Sequence, residues 1–224
     1  VANDDLVVHF KFDDDFTDAV GGSDLQIGTG MTTADFSDSI YKRGTHSFKF
    51  LDAGTDTVNP GRYGGKFTTP ITWNTNTICF WSYQYADYEL AKYYNTILST
   101  GQLKFDIMVN GSNAGISPFL FRINGIGVSS INCSNEKFKD KWVFWSITIQ
   151  QEGADAKINI YLNGILEDIL TFPNTVWENT TTSLFVIAAG SQIPETGSQR
   201  RGYGAYIDDF RIYSKVLTED EIQS

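Results

Sequence analysis

Two carboxylate groupings carry most of the chemical information in this sequence. The first is Asp18-Ala-Val-Gly21-Gly22-Ser23-Asp24. A carboxylate followed by glycines lets the backbone curl until carbonyls join side-chain oxygens around a hard cation, and calcium takes about six to eight oxygens. The same residues also describe an ordinary Gly-Gly turn with polar flanks. The second grouping is Asp208-Asp209, inside the apolar stretch 204–213. Alternation along a strand puts Asp208 on one face with Phe210 and Ile212, and Asp209 on the other with Arg211 and Tyr213. A carboxylate on an apolar face must be paired, hydrogen-bonded or metal-bound. Asp209 has Arg211 on its own face as an ion-pair partner. A third acidic run, Asp13-Asp14-Asp15, repels itself and reads as a solvated loop.

Catalytic sets are not recognisable. His9 and His46 are far apart in sequence and have no metal-ligand spacing, so both read as surface or hydrogen-bonded residues. No Gly-x-Ser-x-Gly elbow or phosphate loop occurs. Glycoside hydrolysis needs two carboxylates flanking one bond. Glu167 and Asp168 are adjacent, so on a strand they face opposite ways.

The elements that must position these residues are strands. Leu6, Val8, Phe10 and Phe12 alternate with Val7, His9 and Lys11. Ser47–Phe50, Thr77–Tyr83, Thr96–Ser99, Leu103–Val109, Phe119–Ile123, Trp142–Ile149 and Lys157–Leu162 continue the series. Asn-Gly pairs at 124–125 and 163–164 suit two-residue hairpin turns, where both central residues need positive φ. Thr218 and Glu221 fit a capping box for one short turn of helix. The chain has 224 residues, 41% hydrophobic and 20% charged, enough for a core. The expectation is an all-β, two-sheet antiparallel sandwich with one short C-terminal helical turn, as a single domain over 1–224.

With 27 acidic against 17 basic residues the formal charge is −10, which disfavours nucleic acid. Apolar runs such as 184–189 are too short to insert in a membrane. Cys79 and Cys133 permit one bridge, which the sequence leaves open. No basic and apolar leader follows Val1, so the chain reads as a processed protein or an excised domain. Asn110, Asn132 and Asn179 begin Asn-x-Ser/Thr tripeptides.

The stretch Gly204-Ala-Tyr-Ile-Asp-Asp-Phe-Arg-Ile-Tyr-Ser-Lys-Val-Leu-Thr-Glu-Asp-Glu-Ile222 resembles the closing motif of the concanavalin A-like superfamily, in its laminin-G-like and pentraxin-like jelly-roll branch. Trp142–Ile149 followed by Lys157–Gly164 is similar to that family's central hairpin, Thr77–Trp81 to a core strand, and Phe10–Phe12, Asp18–Asp24 and Tyr41–Phe50 to its N-terminal part. The resemblance spans almost the whole chain. It implies a jelly roll whose first and last strands are neighbours, which would bring the Asp18 turn near Asp208. It also implies a structural calcium ion held by Asp18, carbonyls around Gly21 and Asp24, and Asp208. Gly22 and Asp24 stand where the commoner Asp-x-x-Gly-Asn-x-Asn turn has asparagines.

The resemblance further implies a noncatalytic, extracellular carbohydrate-binding (lectin) or adhesion module at a cell or virion surface. Its partners would be glycans or cell-surface proteins. Sugars stack on aromatic faces among polar groups. Candidate aromatics in expected loops are Trp73, Tyr85, Tyr88, Tyr93, Trp177 and Tyr203. The alternatives are a self-assembling structural domain of a surface filament or virion without a small ligand, and a polysaccharide-active enzyme with an unrecognised site.

Overall fold

The computed structural model describes residues 5–22, 24–26, 36–49, 66–67, 76–84, 94–100, 105–110, 119–123, 126–131, 135–138, 140–177, 185–187 and 205–224. The alternating segments form strands β1 (Leu6–Phe10), β2 (Leu25–Gln26), β3 (Phe36–Ser37), β4 (Ser47–Lys49), β5 (Lys66–Phe67), β6 (Asn76–Gln84) and β7 (Tyr94–Thr100). They continue as β8 (Phe105–Asn110), β9 (Phe119–Ile123), β10 (Ile126–Ser130), β11 (Trp142–Glu152), β12 (Asp155–Leu162), β13 (Ile165–Phe172), β14 (Phe185–Ile187) and β15 (Ala205–Tyr213). One short helix, α1 (Glu219–Gln223), closes the chain. Among the described residues the strands make two antiparallel sheets. One runs β13-β12-β11-β6-β15-β4-β3, with β1 also on β15, and the other runs β10-β9-β8-β7-β14-β5-β2. The expected all-β sandwich with one helical turn is the architecture found.

Both hairpins expected from Asn-Gly pairs form. Asn163 and Gly164 have φ of 51° and 80°, as a primed two-residue turn demands. Ile123 faces Ile126 across the second hairpin. The capping box also forms: Thr218 N–H donates to Glu221 Oε2 at 2.9 Å, and Glu221 N–H donates to Thr218 Oγ1 at 3.3 Å. The bridge left open for Cys79 is not made. Cys79 is a free, buried thiol, pushed up to about 12 by burial, and Cys133 lies outside the described residues.

The closing strand departs from simple alternation. Its pairing with β6 runs Ile207 to Ser82 and Asp208 to Trp81, then resumes at Arg211 to Cys79. Three steps along β15 thus match two along β6, which is a β-bulge. Asp209 sits in the bulge with φ of 52°, a left-handed conformation that aspartate tolerates better than most residues. The extra residue flips the alternation. Ile207 and Phe210 both face the core, while Asp208 shares the outer face with its cross-strand neighbour Trp81. The expectation that Asp208 lies on the face of Phe210 and Ile212 is therefore wrong, because strand parity does not survive a bulge.

Phe210, placed inward, completes a row of rings across the inner face. Phe10 stacks on Phe210 at 6.4 Å, Phe210 on Phe80 at 6.0 Å, and Phe80 on Trp145 at 6.0 Å. Trp145 carries the row into the other sheet, 4.5 Å from the ring of Phe119. Its indole N–H is satisfied within the core by Ser82 Oγ at 2.9 Å. Trp145→Ala removes the ring that joins the sheets. The expected loss is about 3–5 kcal/mol of unfolding free energy, read as a lower urea midpoint at unchanged slope.

Candidate functional site

The outer face of the larger sheet is where charge and aromatics meet. Strand β15 lies between β6 and two shorter partners: Tyr206 and Ile207 pair with β4, and Phe210 to Tyr213 with β1. The bulge sits where β4 hands over to β1. Two carboxylates fill this junction. Asp208 Oδ2 accepts the backbone N–H groups of Lys42 at 2.7 Å and Arg43 at 2.8 Å. Asp13 Oδ1, just past β1, accepts that of Thr45 at 2.6 Å. The first of the three consecutive aspartates is thus docked on a loop, while Asp14 and Asp15 are exposed as expected. Gly44 is required between these anchors. Its φ is +57°, and a Cβ there would lie 1.9 Å from Asp13 Oδ1.

Asp208 is fully buried, and its second oxygen, Oδ1, has no hydrogen-bond partner. Burial drives its carboxyl up to about 6, outweighing the opposing pull of the Arg43 and Lys42 amides. Its neighbour behaves oppositely. Burial pushes Asp209 up, but the hydrogen bond from His9 and the charge of Arg211 hold it below the usual carboxylate range. His9 Nε2 lies 2.7 Å from Asp209 Oδ1, and Arg211 grips the same carboxylate through Nε at 3.0 Å and Nη2 at 2.9 Å. The expected Asp209–Arg211 pair is present, and His9 is a partnered residue.

The Asp18 turn is a separate network. Asp18 Oδ1 accepts the N–H of His9 at 2.9 Å and Val20 at 3.1 Å, and Oδ2 accepts that of Gly22 at 3.0 Å. Asp24 Oδ1 accepts the N–H of Asp18 at 2.9 Å, and Gly21 takes φ of 85° to close the turn. Asp18 thus bridges to β1 from the side away from β15. Among the described residues, the donors to Asp208 are Lys42 and Arg43, and no group of three or more His, Cys, Asp or Glu there could hold a metal. Of the expected calcium set, Asp18, Gly21 and Asp24 belong to this turn, where Asp18 accepts three amide N–H groups, and Asp208 belongs to the separate network at the bulge. Asp208 Oδ1 is the orphaned oxygen of the four that a cation would satisfy.

Beside the junction, a cavity of about 330 Å³ opens on the outer face. Its floor is Trp81, Phe144 and Tyr213, its walls are Arg43, Arg211, Asn163 and the end of α1. Trp81 and Phe144 contact at 5.0 Å between ring centres, and Lys42 Nζ lies 4.4 Å above the Trp81 ring. A small outer cluster of Cys79, Tyr161, Tyr213, Leu217 and Ile222 seats the helix that forms one wall. The two side-chain carboxylates lining the cavity are both engaged: Asp209 as above, and Glu221 with Lys215 Nζ at 2.7 Å. That bond and the Thr218 N–H hold Glu221 down to about 2.

Of the expected sugar-contacting aromatics, Trp73, Tyr85, Tyr88, Tyr93 and Tyr203 lie outside the described residues. Trp177 is only 6% exposed and belongs to the main core, so it offers no open ring face. Trp81, Phe144 and Arg43 were missed. The signal for Trp81 was present, since Thr77–Tyr83 carries aromatics on both faces and a sandwich has only one inside.

Asp208 has a defined effect on stability. Its folded carboxyl binds a proton more readily than the unfolded one, so its contribution is full below pH about 4 and is lost as pH rises to about 6. Asp208→Asn keeps the acceptor and removes the charge. Urea unfolding in EDTA across this range is expected to show the variant gaining on the wild type by up to about 3 kcal/mol, with a constant difference above pH about 7.

A family model described as the concanavalin A-like lectin/glucanases superfamily matches residues 61–223. No curated protein matches the chain. Among solved structures, the binding domain of Paraclostridial Mosquitocidal Protein 1 is similar at 17% identity and a TM-score of 0.65, over 99% of this chain and 51% of that one. The botulinum neurotoxin serotype D ligand binding domain, in complex with N-acetylneuraminic acid, is similar at 14% identity and 0.61, over 99% and 50%. The binding domain of botulinum neurotoxin DC, in complex with rat synaptotagmin II, is similar at 16% identity and 0.62, over 100% and 51%. The chain spans about half the length of these structures, and at such identities the likeness is one of fold. The match over residues 61–223 and the shared jelly-roll sandwich make this chain a member of the concanavalin A-like lectin/glucanases superfamily.

Proposed function

We propose that this domain is a noncatalytic binding module for glycans or cell-surface proteins, working outside the cell or on a virion. One observation carries the noncatalytic part. Sugar hydrolysis needs a carboxylic acid held up toward neutral pH beside a second carboxylate. In the outer cavity both side-chain carboxylates are held down by cationic partners, Asp209 by His9 and Arg211 and Glu221 by Lys215. Among the described residues the carboxyl that is raised, Asp208, is fully buried. The ligand class is supported by solved relatives of the same fold that bind N-acetylneuraminic acid or synaptotagmin II.

The assembly alternative has its own support. On the sheet-edge strand β13, Ile165, Leu166 and Ile169 are 69%, 41% and 45% exposed. Such a row can pair with another chain. A glycan array with calcium present separates the two readings. Binding to a subset of glycans is expected. Silence across the array, with concentration-dependent oligomers in sedimentation, overturns the glycan reading in favour of assembly.

We further propose that this module carries a structural calcium ion, and the support for it is Asp208. A cation on its orphaned oxygen would offset the cost of burying the charge. Calcium added to EDTA-treated protein is expected to raise the melting temperature of the wild type and leave Asp208→Ala unmoved. An unshifted wild type, or an undiminished shift in the variant, overturns it.

A further inference from the structure

We propose that the cavity on the outer face of the larger sheet binds a carboxylated saccharide, with its acid group on Arg43 and its sugar ring on the aromatic pair Trp81 and Phe144. The inference rests on the glycan arm of the reading above and assigns it a site and a ligand class.

Charge balance around the cavity selects the ligand's sign. Asp209 is paired with Arg211, and Glu221 shares Lys215 Nζ with Asp5. Arg43 is exposed, lines the cavity, and forms no ion pair among the described residues. Lys42 Nζ lies beside the cavity, 4.4 Å from the centre of the Trp81 ring, and covers one face of that ring, which leaves Phe144 and the rest of Trp81 as the apolar floor. Arg43 is thus the lining cation without a carboxylate partner among the described residues, and an unpaired guanidinium favours an anionic ligand. A guanidinium fork matches the planar geometry of a carboxylate through two parallel hydrogen bonds.

The remaining surface selects a sugar as the carrier of that acid. Trp81 and Phe144 are only partly buried and stand side by side on a sheet face, as C–H stacking requires. Asn163 Oδ1 accepts the Phe144 N–H at 3.0 Å, which leaves its amide group as a donor toward hydroxyls at the rim. At about 330 Å³ the cavity is at the small end of ligand sites, which run about 300–1,000 Å³, and suits a terminal sugar residue.

The test is titration with oligosaccharides ending in glucuronate or galacturonate, against neutral counterparts ending in glucose or galactose. The proteins are wild type, Arg43→Ala, Arg43→Glu and, as a control for lost charge elsewhere, Lys157→Ala. Acidic ligands are expected to bind the wild type and Lys157→Ala alike. Arg43→Ala is expected to weaken them by about tenfold or more, as for loss of a charge-assisted hydrogen bond, at unchanged melting temperature. Arg43→Glu should abolish binding. Equal binding of neutral and acidic ligands overturns the ligand class. Acidic ligands that bind both Arg43 variants like wild type overturn the site, while the glycan reading survives. Absence of binding to every saccharide overturns the glycan reading itself.

Discussion

The fold depends on one backbone irregularity, the bulge at Asp208-Asp209 in the closing strand. Strand β15 must put Ile207 and Phe210 into the same core, and a regular strand cannot place residues three apart on one face. The bulge resolves this by holding Asp209 at φ 52°. Without it, Phe210 would turn outward and the ring row from Phe10 to Trp145 would be broken in the middle. The same bulge lets β15 change partners, from β4 on its first half to β1 on its second. The polar residues of the bulge then have to be satisfied outside the core. His9, Arg211 and the amides of Lys42 and Arg43 do so.

The outer face follows from that inner requirement. A central strand paired on both sides leaves its outer side chains beside one another, and β6 and β11 present Trp81, Cys79 and Phe144 there. Part of this face is covered by the chain's own end. Thr77 Oγ1 donates to the carbonyl of Lys215 and accepts the N–H of Leu217, both at 2.9 Å, and this fixes the approach of α1. The helix seats Leu217 and Ile222 over Cys79 and Tyr213 and stops short of Trp81. The cavity is the space left between this tail and the loop anchored on Asp208.

Much of this arrangement was legible in the sequence, for identifiable reasons. Period-two alternation located β1, runs of β-branched and aromatic residues located β6, β11 and β12, Asn163-Gly164 located a hairpin, and Thr218 with Glu221 located the helix. Each is a local signal, with its physics contained in a few neighbouring residues. Misreadings occurred where the outcome depends on distant pairing. Parity assigned Asp208 to the core face because a bulge is fixed by the register against β6 and leaves no local mark. That Asp18 would also accept the N–H of His9, outside its own turn, was likewise not readable from the turn's residues. Trp177 looked like a loop aromatic, but burial absorbed it into the core.

The costly group and the open cavity are linked through one residue. Arg43 gives its backbone N–H to Asp208 and lines the cavity. A hydrogen bond to an ionised carboxylate is about twice as strong as one to a neutral acceptor. Keeping Asp208 charged therefore opposes folding through its burial, yet it fixes the loop that carries the rim cation most firmly. Replacing the carboxylate with an apolar residue would remove the burial cost and leave two amides without acceptors at the place where β1 and β4 part. A buried charge here is better understood as a device for positioning the 41–46 loop than as a source of stability. The geometry of the rim is then set by the same bulge that places Phe210 in the core.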